Sequence, residues 1–262
     1  MLFFRITIIA ILLALASQAF AQQTYAEYVR LGQTKYDQKD YTGAIAAFTE
    51  AVKLDASIST AYALRGLARY RSNDVDGSIS DYTAAMDRGL RSAGLYSNRG
   101  LARMDKNDLT RASEDYSRAI ELDPTFVFAW SNRCNVRKIQ GDYDRAISDC
   151  NKAIELDPQE YAAFNNRANS YYQKRDFPKA IADYSKAIDL NPTAPEPFAN
   201  RATAKTYIKD FESAVLDYTK AIELRPNFAR YYRYRADAYR ALKKLTLAES
   251  DDRKASDLEK IK

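Results

Sequence analysis

Residues 127–160 read VFAWSNRCNVRKIQGDYDRAISDCNKAIELDPQE, and residues 161–194 read YAAFNNRANSYYQKRDFPKAIADYSKAIDLNPTA. Set one beneath the other they agree at a spacing of 34 residues: Asn132 with Asn166, Arg133 with Arg167, Ala146 with Ala180, Asp149 with Asp183, Ala153 with Ala187 and Pro158 with Pro192. A fixed period of this length marks a repeated unit that cannot bury its apolar side alone and stacks on its neighbours. Within each copy the small and aromatic positions recur with the 3.6-residue period of helices. Each copy is therefore expected to be a pair of helices.

The register extends in both directions. Gly32, Gly66 and Gly100 continue as Cys134, Ala168, Ala202 and Ala236, and an unbroken alanine series runs through Ala51, Ala85, Ala119, Ala153, Ala187, Ala221 and Ala255. Between them lies a mostly aromatic series: Phe48, Tyr82, Tyr116, Cys150, Tyr184, Tyr218 and Asp252. This gives seven repeats, at residues 25–58, 59–92, 93–126, 127–160, 161–194, 195–228 and 229–262. Small residues let paired helices approach closely, and aromatics fill the space between adjacent pairs. Asp40, Asp74, Asp108, Asp142, Asp176 and Asp210 stand where a side-chain oxygen caps the second helix. In the last repeat Asp252 replaces the aromatic and the second helix is polar, as expected of a terminal unit that faces water.

The pattern of large aromatic, small residue, Ala, aromatic, Ala and Pro, seen in Trp130, Cys134, Ala146, Ala153 and Pro158 with Tyr143 beside them, resembles the tetratricopeptide repeat (TPR) family. The resemblance spans residues 25–262 and implies an all-α fold, a right-handed superhelical TPR solenoid of seven helix–turn–helix units. It further implies that the first helix of each unit lines a concave surface that takes a protein or peptide partner.

Composition narrows the chemistry. The chain has 262 residues, no histidine, and a net charge of +5 from 40 basic and 35 acidic side chains. Without histidine the commonest general base and zinc ligand is missing, and the repeats leave no room for a catalytic domain. An enzyme, a metal site and a cofactor are therefore not expected. Charges of both signs are interspersed, which argues for solubility and against a nucleic-acid footprint. Residues 1–21 carry Arg5, the apolar run Ile6–Ala16 and the small-x-small end Ala19-Phe20-Ala21, the layout of a secretory signal peptide cleaved near Ala21, with an uncleaved membrane anchor as the alternative. The mature chain is then expected to lack a membrane span and to be periplasmic or secreted, in an oxidising compartment.

Two substitutions run through the repeats. Arginine precedes the small residue of the first helix at Arg65, Arg99, Arg133, Arg167, Arg201 and Arg235; aspartate precedes the aromatic position at Asp81, Asp115, Asp149, Asp183, Asp217 and Asp251. In an antiparallel hairpin these positions oppose one another, so pairs such as Arg167 with Asp183 are expected to be structural ion pairs. Cys134 and Cys150 both fall in repeat 4, on facing helices. They form either a disulfide or a compensated packing swap.

Candidate ligand contacts sit on the first helices. Asn98, Asn132, Asn166 and Asn200 recur at one mid-helix position, with Asn135 and Asn169 three residues on and Asn165 adjacent. Asparagine is a poor helix former whose amide offers donors and acceptors, which suits reading an extended backbone. The repeats of O-linked N-acetylglucosamine transferases are similar in carrying such a ladder. Asn169, Asn200 and Arg230 also match three positions of the carboxylate clamp in chaperone-binding repeats, while Asn165 and Tyr234 depart from it. Arg230, Arg233 and Arg240 are expected to make the last repeat basic on its inner side. The function expected is a protein–protein interaction scaffold that binds a peptide or partner protein along the groove. The alternative is a structural solenoid that assembles with itself.

Overall fold

The structure, a computed structural model, describes residues 24–260. All its regular structure is helical, with fourteen helices among the described residues. They divide into two compact bodies, one up to Pro124 and one from Thr125. The N-terminal body contains α1 (residues 24–37), α2 (Tyr41–Leu54), α3 (Ser59–Arg71), α4 (Val75–Asp87), α5 (Ala93–Asp105) and α6 (Leu109–Leu122). The C-terminal body contains α7 (Val127–Ile139), α8 (Tyr143–Leu156), α9 (Tyr161–Gln173), α10 (Phe177–Leu190), α11 (Pro195–Tyr207), α12 (Phe211–Leu224), α13 (Ala229–Ala241) and α14 (Leu245–Lys260). Odd-numbered helices are the first helices of their hairpins. The export segment expected at residues 1–21 lies outside the described residues. Among those described, no helix is long and apolar enough to cross a membrane.

One turn joins the two helices of every hairpin, and the backbone explains its sequence. A residue of positive φ follows each first helix: Lys39, Asn73, Asn107, Gly141, Arg175, Lys209 and Lys243. The next amide then bonds back to the carbonyl five residues earlier, as Asp74 N–H does to Arg69 at 2.9 Å and Asp176 N–H to Tyr171 at 2.9 Å. This closes the first helix in a left-handed cap. In all but the last hairpin, where Lys244 stands here, this residue is an aspartate that then starts the second helix, its carboxylate accepting from an amide three residues on, at 2.8 Å from Gly43 and 2.9 Å from Gly77. One residue thus ends one helix and begins another, which fixes the hairpin.

The core of each hairpin is the contact between its small position and its aromatic position. A Cβ added at Gly32 would lie 2.5 Å from the Phe48 ring, and one at Gly66 would lie 2.9 Å from Tyr82. Gly100 is nearly as tight, at 3.1 Å from Tyr116. In repeat 4 the same two positions hold Cys134 and Cys150, both fully buried, and a disulfide joins them across a Cα–Cα distance of 5.4 Å. The bond takes the place that an aromatic ring fills elsewhere.

Arginine and aspartate tie neighbouring hairpins together. Arg167 donates from Nε and Nη2 to the two oxygens of Asp183, both at 2.7 Å. Its Nη1 donates to Asn151 of the preceding hairpin at 2.7 Å, and its guanidinium lies 5.5 Å from the Phe164 ring centre. Arg201 repeats the arrangement with Asp217, Ser185 and Phe198, and Arg235 with Asp251, Thr219 and Tyr232. In the N-terminal body Arg65 uses Asp81, Thr49 and Tyr62, and Arg99 uses Asp115, Thr83 and Tyr96. Each guanidinium bonds its own second helix and the preceding one while stacking on its own first helix. This planar, five-donor geometry is available to arginine and not to lysine. Repeat 1 holds Leu31 and Ala47 at the two positions.

Candidate functional site: the first-helix face of the C-terminal body

In the C-terminal body the first helices touch in succession, α7 with α9, α9 with α11 and α11 with α13. Side chains cross these contacts. Lys138 on α7 donates to Asn166 Oδ1 on α9 at 2.9 Å, and Asn200 Nδ2 on α11 donates to Asn169 Oδ1 on α9 at 3.3 Å. Asn169 Oδ1 also accepts from the Tyr184 hydroxyl at 2.8 Å. Burial lowers the Lys138 ammonium below the usual lysine range, and its bonded partner is a neutral amide.

These bonds divide the asparagines expected to meet a ligand. Asn166 is buried and its oxygen is used by Lys138; Asn169 uses its oxygen within the body. Asn132 is half-buried on α7 and donates to the Phe128 carbonyl of its own helix at 2.8 Å. Asn135 is half-buried on the same helix. Asn165 is half-buried on α9, and its Oδ1 is buried without a partner. Asn98, on α5, belongs to the N-terminal body. The sequence signal for Asn169 was at hand: Tyr184 lies fifteen residues on, across the hairpin, and its phenol needs a partner once buried.

Two arginines of repeat 7 are likewise committed. Arg233 pairs with Glu259 at 2.5 Å and Arg240 pairs with both Asp237, at 2.5 Å, and Asp252. Arg230 is exposed, with its guanidinium 5.9 Å from the Phe228 ring centre. Of the three arginines expected on this side, Arg233 and Arg240 are thus paired with acids of α13 and α14.

Farther along, the face becomes aromatic. Tyr172 and Tyr207 meet edge to face at 5.6 Å, and Phe177 stacks on Tyr207 at 4.9 Å. Tyr218 and Tyr234 pack at 6.0 Å. Between α11, α12 and α13 these rings border an open pocket of about 230 Å³ lined by Tyr207, Phe211, Tyr218 and Tyr234 together with Thr203, Thr206, Asp237 and Ala238. The Tyr218 hydroxyl bonds Thr203 at 2.9 Å; burial, with Tyr234 and Asp237 nearby, pushes its pKa up to about 12. The only sequence trace of the pocket is a single smaller residue. Thr206 stands where earlier repeats have Tyr36, Tyr70, Met104, Lys138 and Tyr172.

Among the described residues, no group of three or more His, Cys, Asp or Glu side chains is placed to hold a metal ion. The arrangement offers surface, hydrogen bonds and rings.

Comparison with known proteins agrees with this geometry. Tetratricopeptide repeat family profiles match residues 93–126, 127–160 and 161–194, and again residues 29–89 and 200–257. No curated protein matches the chain. Among solved structures, a tetratricopeptide repeat protein from Parabacteroides merdae is similar with a TM-score of 0.72 at 19% identity, over 90% of this chain and 93% of that one. The pilF protein of Pseudomonas aeruginosa is similar with a TM-score of 0.70 at 16% identity, over 83% of this chain and 99% of that one. YrrB, described as a TPR protein with an unusual peptide-binding site, has a TM-score of 0.57 at 24% identity, over 63% of this chain and 85% of its own. At these identities the likeness concerns the fold.

Proposed function

This chain belongs to the tetratricopeptide repeat family, and from that premise we propose that it is a non-enzymatic scaffold holding another polypeptide against the first-helix face of its C-terminal body. The observation that carries the reading is the composition of that face. Half-buried amides at Asn132, Asn135 and Asn165 are followed by aromatic surface at Tyr207 and Tyr234, the mixture of adaptable hydrogen bonding and rigid apolar area that polypeptide recognition uses. Asn165 Oδ1, buried and unpartnered, is an acceptor for a backbone N–H of the bound chain.

The scaffold works outside the cytosol, in the periplasm or at the cell exterior. The Cys134–Cys150 disulfide supports this, because such bonds persist in oxidising compartments. The signal-peptide layout of residues 1–21 supports it as well.

Peptides selected from a random phage-displayed library on the full chain test the reading. With p-benzoylphenylalanine placed at residue 132 or residue 200, a selected peptide is expected to cross-link. With the same group at residue 216, on a second helix, it is not. Cross-linking at residue 216 alone would reject the assignment of the face. Self-assembly has its own observation, the exposed Leu216, Leu245 and Leu247 on α12 and α14. Light scattering that shows a monomer at working concentration removes that alternative.

A further inference from the structure

Elsewhere a long side chain of one first helix clasps the next. Tyr36 accepts from Arg71 at 3.3 Å, Tyr70 donates to Asp105 at 2.6 Å, and Tyr172 packs on Tyr207. The two positions of this clasp between repeats 6 and 7 hold Thr206 and Ala241, both too short to meet. The pocket between α11, α12 and α13 is the space left by that missing clasp.

Its walls have a consistent electrostatic sense. Tyr207, Phe211, Tyr218 and Tyr234 supply ring surfaces, and Asp237 supplies a carboxylate. The threonine hydroxyls spend their protons on their own helix: Thr206 donates to the Thr203 carbonyl at 2.7 Å and Thr203 to the Ala199 carbonyl at 2.9 Å. Their lone pairs are what remain for the pocket. No lysine or arginine lines it. Just outside, Arg240 is shared between Asp237 and Asp252, so these three side chains leave one net negative charge. The chain as a whole carries +5, which makes this acidic spot a local exception.

Ring faces, acceptor oxygens and a carboxylate in a cluster of net negative charge together attract a cation and repel an anion. We propose that the pocket bordered by Tyr207, Phe211, Tyr218, Tyr234 and Asp237 receives a lysine or arginine side chain of the bound polypeptide. This deepens the reading of the first-helix face by naming the chemistry that one place on it selects. A partner could still lie along the face without using the pocket, so the two readings fail separately.

The test uses the full chain with 13C-methyl-labelled threonine, titrated with acetyl-Gly-Arg-Gly-amide and with its neutral isostere containing citrulline. The Thr203 and Thr206 methyl signals are expected to shift saturably with the arginine peptide. Affinity for the citrulline peptide is expected to be about tenfold weaker, and added salt is expected to narrow the gap. Asp237→Asn is expected to remove most of the discrimination. Thr206→Tyr restores the bulky residue of the other repeats, so it is expected to fill the pocket and abolish the shifts while leaving the circular dichroism and Tm of the parent. Equal affinity for arginine and citrulline overturns the proposal, as does undiminished binding by a folded Thr206→Tyr chain. If library-selected peptides still cross-link at residue 200 in that variant, the face reading stands and only the pocket is lost.

Discussion

Tyr116 in the N-terminal body and Tyr184 in the C-terminal body occupy the same place in their hairpins, yet their phenols meet different surroundings. The Tyr116 oxygen, like that of Tyr82, is buried without a partner. The Tyr184 oxygen donates to Asn169, and that of Tyr218 bonds Thr203. The cause is one helix position, which holds Leu67 and Leu101 opposite Tyr82 and Tyr116 but Asn169 and Thr203 opposite Tyr184 and Tyr218; repeat 1 has Gln33 there, opposite Phe48. Where that position is leucine the phenol has no partner, and where it is Asn169 or Thr203 it has one. Repetition builds the scaffold, and departures from it build the surface.

Hairpins of both bodies share the arginine–aspartate device, doubly loaded at Asp81, Asp115, Asp149 and Asp217 but not at Asp183, and that gives the largest expected effect. Asp115 accepts from both Arg99 and Arg103, whereas Asp183 accepts from Arg167 and has Tyr171 where a second cation would stand. Asp115→Ala leaves two guanidinium groups short of their partner and is expected to cost about 3–5 kcal/mol, with Asp183→Ala at the low end of that range. Repeat arrays need not unfold in one step, so amide hydrogen exchange within the affected hairpin is the measurement. Equal small losses, under about 1 kcal/mol, would show that the pairs are ornaments of the surface.

The disulfide distinguishes the bodies next. Cys134→Ala with Cys150→Ala removes a bond that closes a loop of sequence separation 16, and is expected to lower the stability of the α7–α8 hairpin by about 3 kcal/mol. Exchange in α3 to α6 is expected to stay as in the parent. Uniform acceleration along the chain would contradict the local role.

Alkaline titration comes third. The folded pKa of Tyr218 is raised from 10.0 to about 12, chiefly by burial. Its neutral phenol therefore contributes stability that is whole below pH 10 and is lost as pH rises toward about 12, at about 1.4 kcal/mol per pH unit. Tyr218→Phe is expected to shift the alkaline unfolding midpoint upward, read by tyrosinate absorbance. An unchanged midpoint would deny the tyrosine that part.

The smallest effect is also the most pointed, because it changes sign between the bodies. Tyr116→Phe removes a buried hydroxyl that has no partner and is expected to be neutral or to stabilise by about 1 kcal/mol. Tyr184→Phe leaves Asn169 with one donor fewer and is expected to destabilise by about 1 kcal/mol. Urea midpoints moving in the same direction would end the comparison.

The helical hairpins were readable because every element of them is written several times. The spacing of Gly32, Gly66 and Gly100 against Phe48, Tyr82 and Tyr116 already contains the closest contact in each hairpin core. Arg167 and Asp183 are recognisable because both charges are missing together from repeat 1, at Leu31 and Ala47. For Cys134 and Cys150 the sequence gives neighbouring positions, while the choice between a bond and a packing swap depends on a distance that spacing does not supply. The face was harder to read. Asn166 and Asn169 look like ligand contacts until Lys138 and Tyr184 are seen to use their oxygens. Arg233 looks free until Glu259, 26 residues away on a helix that reads as a solvated cap, closes on it. Single-residue departures such as Thr206 carry no periodic signal, so a search tuned to the period passes over them.

The central claim is that polypeptide binding belongs to the first helices of the C-terminal body. A library-selected peptide carrying a terminal nitroxide, bound to chain with 13C-labelled threonine and leucine methyls, tests it by paramagnetic broadening. The account predicts that Thr203 and Thr206 broaden while Leu216, Leu245 and Leu247 keep their line widths. Broadening confined to those three leucines would place the ligand on the second helices and contradict it.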